Sequence, residues 1–179
     1  MKGKMSKPTR PNKTKKATAA DIVFTPPHVA ERIIHYFAPK GRCLDPCKGK
    51  GAFYNELPSP KEWCEITEGK DFLEYEGKVD YIITNPPYSI YDLFLEKCFS
   101  VADNVILFVP IAKAFKSLKV ERMVQKFGGL KEILLMGGGS KYGFGFGFPV
   151  GCLYYKRGYK GDCRITHMDE RKEDASGIS

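Results

Sequence analysis

An amide, two prolines and an aromatic ring stand in a row at Asn85, Pro86, Pro87 and Tyr88, directly after an apolar run at 79–84. Proline lacks an N–H and fixes φ, so the pair ends a strand and the chain must leave the sheet there. That accounts for the turn but not for Asn85 or Tyr88. The Asn85 side-chain oxygen and the Pro86 carbonyl are two hydrogen-bond acceptors on a backbone held rigid by the prolines, and Tyr88 offers a flat face beside them. Asn is not a general base. Such a group can accept the two N–H bonds of a planar amine, favour a pyramidal nitrogen and aim its lone pair, an effect of orientation and electrostatics.

A second set lies upstream. Residues 43–53 read CLDPCKGKGAF, a strand running into a loop with Gly49 and Gly51 and then into a helix. Glycines at such a turn let a ligand approach the backbone closely, and open α/β sheets bind ligands beyond the carboxyl ends of their strands. The third glycine of a dinucleotide fingerprint and the Gly-Lys-Ser/Thr of a phosphate loop are both missing. Asp45, at the strand end, would repel phosphate and suits a cation. About twenty residues on, Glu65 falls at the end of the next strand, where such sheets accept hydrogen bonds from ribose hydroxyls. Asp71 and Phe72 add an acceptor and a ring at an adenine-sized distance. Tight-turn glycines and a surface glutamate are the plainer alternatives. Taken together, sites for an amine, a ribose and an adenine describe S-adenosyl-L-methionine.

These residues need a scaffold, and the patterning supplies one. Helical spacing covers 28–37, with Thr25 as the expected N-cap and Pro26 at the first helical position. A strand at 42–45, a short helix from Ala52 stopped by Pro58, and strands at 62–66 and 79–84 follow. Beyond them come a helix at 90–101, an apolar strand at 104–110, a helix at 113–127 ended by Gly128 and Gly129, and strands at 130–136 and 149–156. Strands alternating with helices imply an α/β fold around a mostly parallel sheet. Residues 67–78 are too few for a crossover helix plus a strand, so that edge of the sheet is expected to be trimmed.

Four stretches in this order, FTPPHVAERII (24–34), LDPCKGKGAF (44–53), GKDFLEY (69–75) preceded by Glu65, and ITNPPYS (83–89), resemble the amino-group methyltransferases, most closely the N6-adenine DNA methyltransferases. The resemblance spans about residues 21–156. It implies a Rossmann-like S-adenosylmethionine-dependent methyltransferase fold, a mostly parallel sheet with one antiparallel strand, and S-adenosyl-L-methionine as cofactor. It also implies that Thr25, Asp45 and Gly49 lie on the methionine part of the donor, with Pro46, Gly51 and Phe53 in the same loop and helix. Glu65 would lie on the ribose, Asp71 and Phe72 on the adenine. Asn85, Pro86, Pro87 and Tyr88 match the family's catalytic tetrapeptide, with Asn85 reaching the donor as well. Tyr88 would stack on a base that is flipped out or already unpaired. An aromatic in the glycine-rich loop 137–148 would face that base from the other side, making Phe144, Phe146 and Phe148 candidates; the alternative is a hairpin whose rings cover the core. Two departures are visible: the crossover helix is missing, and no target-recognition domain follows the core. Specificity is then expected from loop 137–148, from a separate partner, or to be low. DNA stands ahead of RNA as substrate. Methylation of RNA adenine, methylation of protein glutamine and non-catalytic nucleic-acid binding remain the competing readings.

The net charge of the 179-residue chain is +8, but residues 1–20 carry seven lysines and arginines and no acid, leaving 22 basic against 21 acidic residues elsewhere. That basic tail is expected to be disordered, serving either as a solubilising terminus or as a sequence-independent phosphate contact. One catalytic domain is expected at 21–160, followed by a polar C-terminal tail at 161–179. The six cysteines form no CxxC pair and the three histidines do not cluster, so no metal site is expected. Free cysteines and the absence of a signal peptide or a long apolar stretch point to a cytoplasmic protein, in the host cytoplasm if virus-encoded, without membrane association.

Overall fold

The computed structural model describes residues 23–145 and 147–168. Seven strands form one sheet: β1 Cys43–Asp45, β2 Lys61–Trp63, β3 Val79–Thr84, β4 Ala102–Pro110, β5 Gly128–Gly138, β6 Pro149–Arg157 and β7 Arg164–His167. Their order is β2-β1-β3-β4-β6-β5-β7. Six strands share one direction; β6 runs antiparallel to both β4 and β5. The trimmed edge is β2, three residues long, followed by two 3₁₀ turns, Ile66–Glu68 and Phe72–Glu74, in place of a crossover helix.

Helices α1 (Pro27–Phe37) and α2 (Ala52–Glu56) cover one face, and α3 (Tyr91–Val101) and α4 (Leu118–Phe127) the other. Side chains alternate between the faces along each strand. Ile82, Val105, Leu107 and Val109 therefore pack under α3 and α4, while Ile83, Ile106 and Phe108 pack under α1 and α2. Strands buried on both faces must be apolar throughout, which is why β3 and β4 read as continuous hydrophobic runs.

Several boundaries differ from the sequence expectation for identifiable reasons. Pro26, not Thr25, is the N-cap of α1, with extended backbone at φ −60° and ψ 140°. The helix expected at 113–127 is two pieces: a 3₁₀ stretch Ile111–Phe115, then α4, capped by Ser117, whose hydroxyl accepts the Val120 N–H at 3.3 Å. Gly128 closes α4 as expected, its N–H donating to the Val124 carbonyl, and with Gly129 it also begins β5. At Gly128 a Cβ would lie 2.2 Å from the Lys156 carbonyl oxygen, so the pairing with β6 excludes any side chain there.

Strand β7 corrects the assignment of residues 161–179 to a polar tail, since Arg164–His167 pairs in parallel with β5. Its anchor is Glu132, which is buried in β5. That carboxylate accepts hydrogen bonds from Arg164 at 2.7 Å, Thr166 at 2.9 Å and Tyr36 of α1 at 2.5 Å. Burial pushes the Glu132 carboxyl up, but these donors outweigh it and hold it below the usual carboxylate range. The basic tail at 1–20 and residues 169–179 lie outside the described residues.

Candidate active site

The carboxyl ends of β2, β1, β3 and β4 open onto one edge of the sheet, and the chain leaves β1 for one neighbour and later returns on the other side as β3. Ligand sites in open α/β sheets form at this kind of reversal. Asp45 ends β1 and is 1% exposed. One carboxylate oxygen accepts from the Thr84 hydroxyl at 2.8 Å and the Cys47 N–H at 3.2 Å; the other accepts from the Tyr54 N–H at 3.1 Å. The side chain thus ties β3, the glycine loop and α2 to one point. Burial raises its pKa to about 6 against those three donors, so at neutral pH it is largely ionised and places a negative charge beneath the loop.

The loop above it is shaped by Gly49 and Gly51, with φ of +51° and +87°. A Cβ on Gly49 would sit 3.3 Å from the Phe24 ring, so the left-handed backbone and the close approach both favour glycine. Glu65 reaches across from the end of β2. One of its oxygens accepts the Gly49 N–H at 2.8 Å, and the other accepts the Thr67 N–H at 3.1 Å and the Thr67 hydroxyl at 2.8 Å. Burial opposes the charge, but these donors and Lys48 prevail and keep Glu65 ionised, below the usual range. Trp63 stands beside it with the Lys48 and Lys70 ammonium groups 3.7 and 3.6 Å from its ring centroid.

Asn85 follows β3. Its amide nitrogen donates to the Val23 carbonyl at 3.0 Å and to the Thr25 hydroxyl at 3.3 Å, and its oxygen accepts the Tyr88 hydroxyl at 3.1 Å. With both acceptors on the nitrogen side, the amide has one orientation, and the oxygen faces away from the segment that leads into α1. Thr25 is therefore buried for the sake of Asn85 rather than of the helix cap. Pro86 is buried and Pro87 half-buried. Lys113, in the 3₁₀ stretch after β4, donates to the Tyr88 carbonyl at 3.2 Å and lies 5.3 Å over its ring. The Tyr88 and Phe144 rings are inclined by only 27°, with centroids 6.2 Å apart.

The structure brings together Thr25, Asp45, Pro46, Gly49, Gly51, Glu65, Asn85 and Tyr88 at this edge, and Phe144 faces Tyr88. It turns Phe72 away: the ring is 4% exposed, packed 4.9 Å from Phe94 in the core, so it offers no open face to an adenine. Asp71 caps the 3₁₀ turn Phe72–Glu74 through the Leu73 N–H at 2.9 Å. Phe53 is likewise buried, under the α1 face. Phe148 is 69% exposed, and Phe146 lies outside the described residues. Sequence reasoning missed Lys113, the Val23 carbonyl and Ile66, an exposed apolar residue next to Glu65. Lys113 could have been found from its place just beyond a buried strand; nothing local in the sequence marks the other two. Among the described residues no cluster of histidine, cysteine or carboxylate could hold a metal ion, and no helix is long and apolar enough to cross a membrane.

No family model and no curated protein matches the chain by sequence. Solved structures do match by fold. The methyltransferase subunit of a type I restriction-modification system from Streptococcus thermophilus superposes with a TM-score of 0.60 at 14% identity, covering 83% of this chain and 48% of that one. The M protein of the type I restriction enzyme EcoKI gives 0.59 at 15%, covering 75% and 44%. A provisionally assigned class I S-adenosylmethionine-dependent methyltransferase from Listeria monocytogenes gives 0.57 at 13%, covering 86% and 68%. The chain spans about half the length of the type I subunits. With its sheet order, its single antiparallel strand and these neighbours, the chain has the Rossmann-like fold of the S-adenosylmethionine-dependent methyltransferases.

Proposed function

We propose that the protein transfers a methyl group from S-adenosyl-L-methionine to the exocyclic N6 amine of adenine in DNA. The observation that carries this reading is the fixed Asn85 amide: its nitrogen donates to the Val23 carbonyl and the Thr25 hydroxyl, its oxygen accepts the Tyr88 hydroxyl, and the packed Pro86 comes next in the chain. An adenine amine is a poor nucleophile because its lone pair is delocalised into the ring. Two acceptors on its N–H bonds oppose that delocalisation and hold the nitrogen for in-line attack. Tyr88 supplies an aromatic face at the same place, backed by Phe144, whose own ring is 3% exposed and packed on Phe108 in the core.

The donor-side residues fit S-adenosyl-L-methionine on their own chemistry. Ionised Glu65 suits ribose hydroxyls, the Gly49 backbone leaves room that a Cβ would fill, and the charge of Asp45 complements a cationic ligand. The cofactor would supply an electrophilic sulfonium methyl. The preference for DNA, and for a separate specificity partner, draws support from the fold likeness to the type I restriction enzyme EcoKI M protein and to a type I restriction-modification methyltransferase subunit. Incubating the purified protein with labelled donor and parallel DNA, RNA and cell-lysate substrates tests the reading. Label on DNA adenine is expected. Label on RNA, or on a protein amide with every nucleic acid left unmodified, would replace it with one of the competing substrates.

A further inference from the structure

Beyond β4 the chain reads IAKAFKSLK over residues 111–119, three lysines and no carboxylate. Two of its residues anchor it: Ala114 is buried in the core, and the Ile111 side chain lies 3.0 Å from where a Cβ on Gly151 of β6 would stand. The residues that follow Ala114, 115–119, are turned outward. Phe115 is 74% exposed and Leu118 69%, although the core is closed beneath them. Exposed apolar side chains held together on a short, anchored segment mark a contact surface rather than a packing accident.

Its position says what it contacts. Lys113 touches the Tyr88 carbonyl, and Lys116 pairs with Asp92 in the first turn of α3 at 2.7 Å, so the segment is fastened to the last residue of the tetrapeptide and to the helix that follows it. It leaves the same sheet edge as Phe148, because Pro110 at the end of β4 pairs with Val150 at the start of β6. A ring standing among ammonium groups beside the proposed base pocket matches the chemistry of a polyanion with stacking faces. An apolar protein groove would accept Phe115 and Leu118 but would have to desolvate the exposed Lys119 ammonium, which a polyanion would instead neutralise.

We infer that residues 111–119 bind the nucleic-acid strand next to the target base, with Phe115 stacking on a neighbouring base and Lys119 contacting a phosphate, while Lys113 and Lys116 hold the segment to Tyr88 and Asp92. This rests on the nucleic-acid reading above. The test uses fluorescence anisotropy of a labelled single-stranded DNA oligonucleotide, with calorimetric titration of S-adenosyl-L-methionine as the control. Phe115→Ala should weaken the oligonucleotide about tenfold, the worth of one base–ring stack, and leave donor affinity unchanged. Lys119→Ala should lower the slope of log affinity against log salt by about 0.7. Unchanged oligonucleotide affinity and unchanged salt slope in these variants would overturn the inference. If the wild-type chain binds and methylates no oligonucleotide, the substrate assignment itself fails. If it does both and the variants match it, only the role of this segment fails.

Discussion

Around Asp45 and Glu65 each carboxylate oxygen already accepts a hydrogen bond from the chain itself, whereas at Phe115, Leu118 and Phe148 apolar side chains stand in solvent among lysines. The first region is held by short-range hydrogen bonds that fix a loop before any ligand arrives. The second is anchored only at its base. A loop fixed in advance suits one small ligand of constant shape, and an open surface with rings and ammonium groups suits a long, variable polymer. Asn85 sits on the seam, tied on one side to Val23 and Thr25 and on the other to Tyr88.

The contrast can be broken most severely at that seam. Asn85→Ala is expected to lower kcat by about 10²–10³-fold, the usual cost of losing one oriented hydrogen-bonding group at a reacting centre. Donor affinity should change little, because Asp45 and Glu65 keep their own partners. Near-wild-type turnover in this variant, measured under saturating donor, would show that the acceptor pair does not activate the amine.

Next in size is Asp45, where the donor half is tested on its own. Asp45→Asn leaves the Tyr54 N–H or the Thr84 hydroxyl facing an amide donor and should cost about 1–3 kcal/mol in chemical denaturation. A pH signature accompanies it. The carboxyl titrates near pH 6 when folded against 3.8 ordinarily, so between those values the folded chain binds the extra proton. Raising the pH through this window therefore costs stability, about 3 kcal/mol when ionisation is complete. Wild-type stability should fall relative to Asp45→Asn between pH 4 and pH 6, and parallel profiles would deny the burial of this charge.

Tyr88 separates ring from hydroxyl. Tyr88→Phe keeps the aromatic face, loses only the 3.1 Å bond to Asn85, and should cost about 0.5–1.5 kcal/mol in kcat/KM. Tyr88→Ala should add about tenfold to the KM for nucleic acid if the ring stacks on a base. Equal effects from the two variants would assign the contribution to the hydroxyl. The smallest change is expected far from the seam. Arg164→Ala takes one donor from Glu132 but leaves Tyr36 and Thr166, and the Arg164 side chain is mostly exposed, so only a slight loss of stability in chemical denaturation, with unchanged turnover, is expected.

Legibility followed how local each determinant is. Strand β3 was readable to the residue because its apolar run and its terminating prolines are adjacent. The Asp45, Gly49, Glu65 and Asn85 set could be read because each follows a strand end. Phe72 could not be placed, since whether a ring after Asp71 faces a pocket or the core depends on Phe94, twenty-two residues away. Strand β7 was illegible for the same reason. Arg164–His167 has no apolar pattern of its own, and its pairing depends on a buried carboxylate in β5 and a tyrosine in α1. Ser117 is the counter-example: a serine cap was written in the sequence, but the apolar spacing that runs across it hid the break.

Because β6 runs against its neighbours, the β5–β6 connection turns at the edge where Asn85 and Tyr88 lie, with Gly139 N–H closing its base on the Phe148 carbonyl at 2.9 Å. Both strands are complete before the turn begins. The loop is thus a tip pinned to a finished frame by two rings, because Tyr142 and Phe144 are buried in the core against Phe108. An engineer wishing to change what this protein recognises would keep those two rings and vary the open positions Gly145 and Gly147, where an added side chain meets nothing.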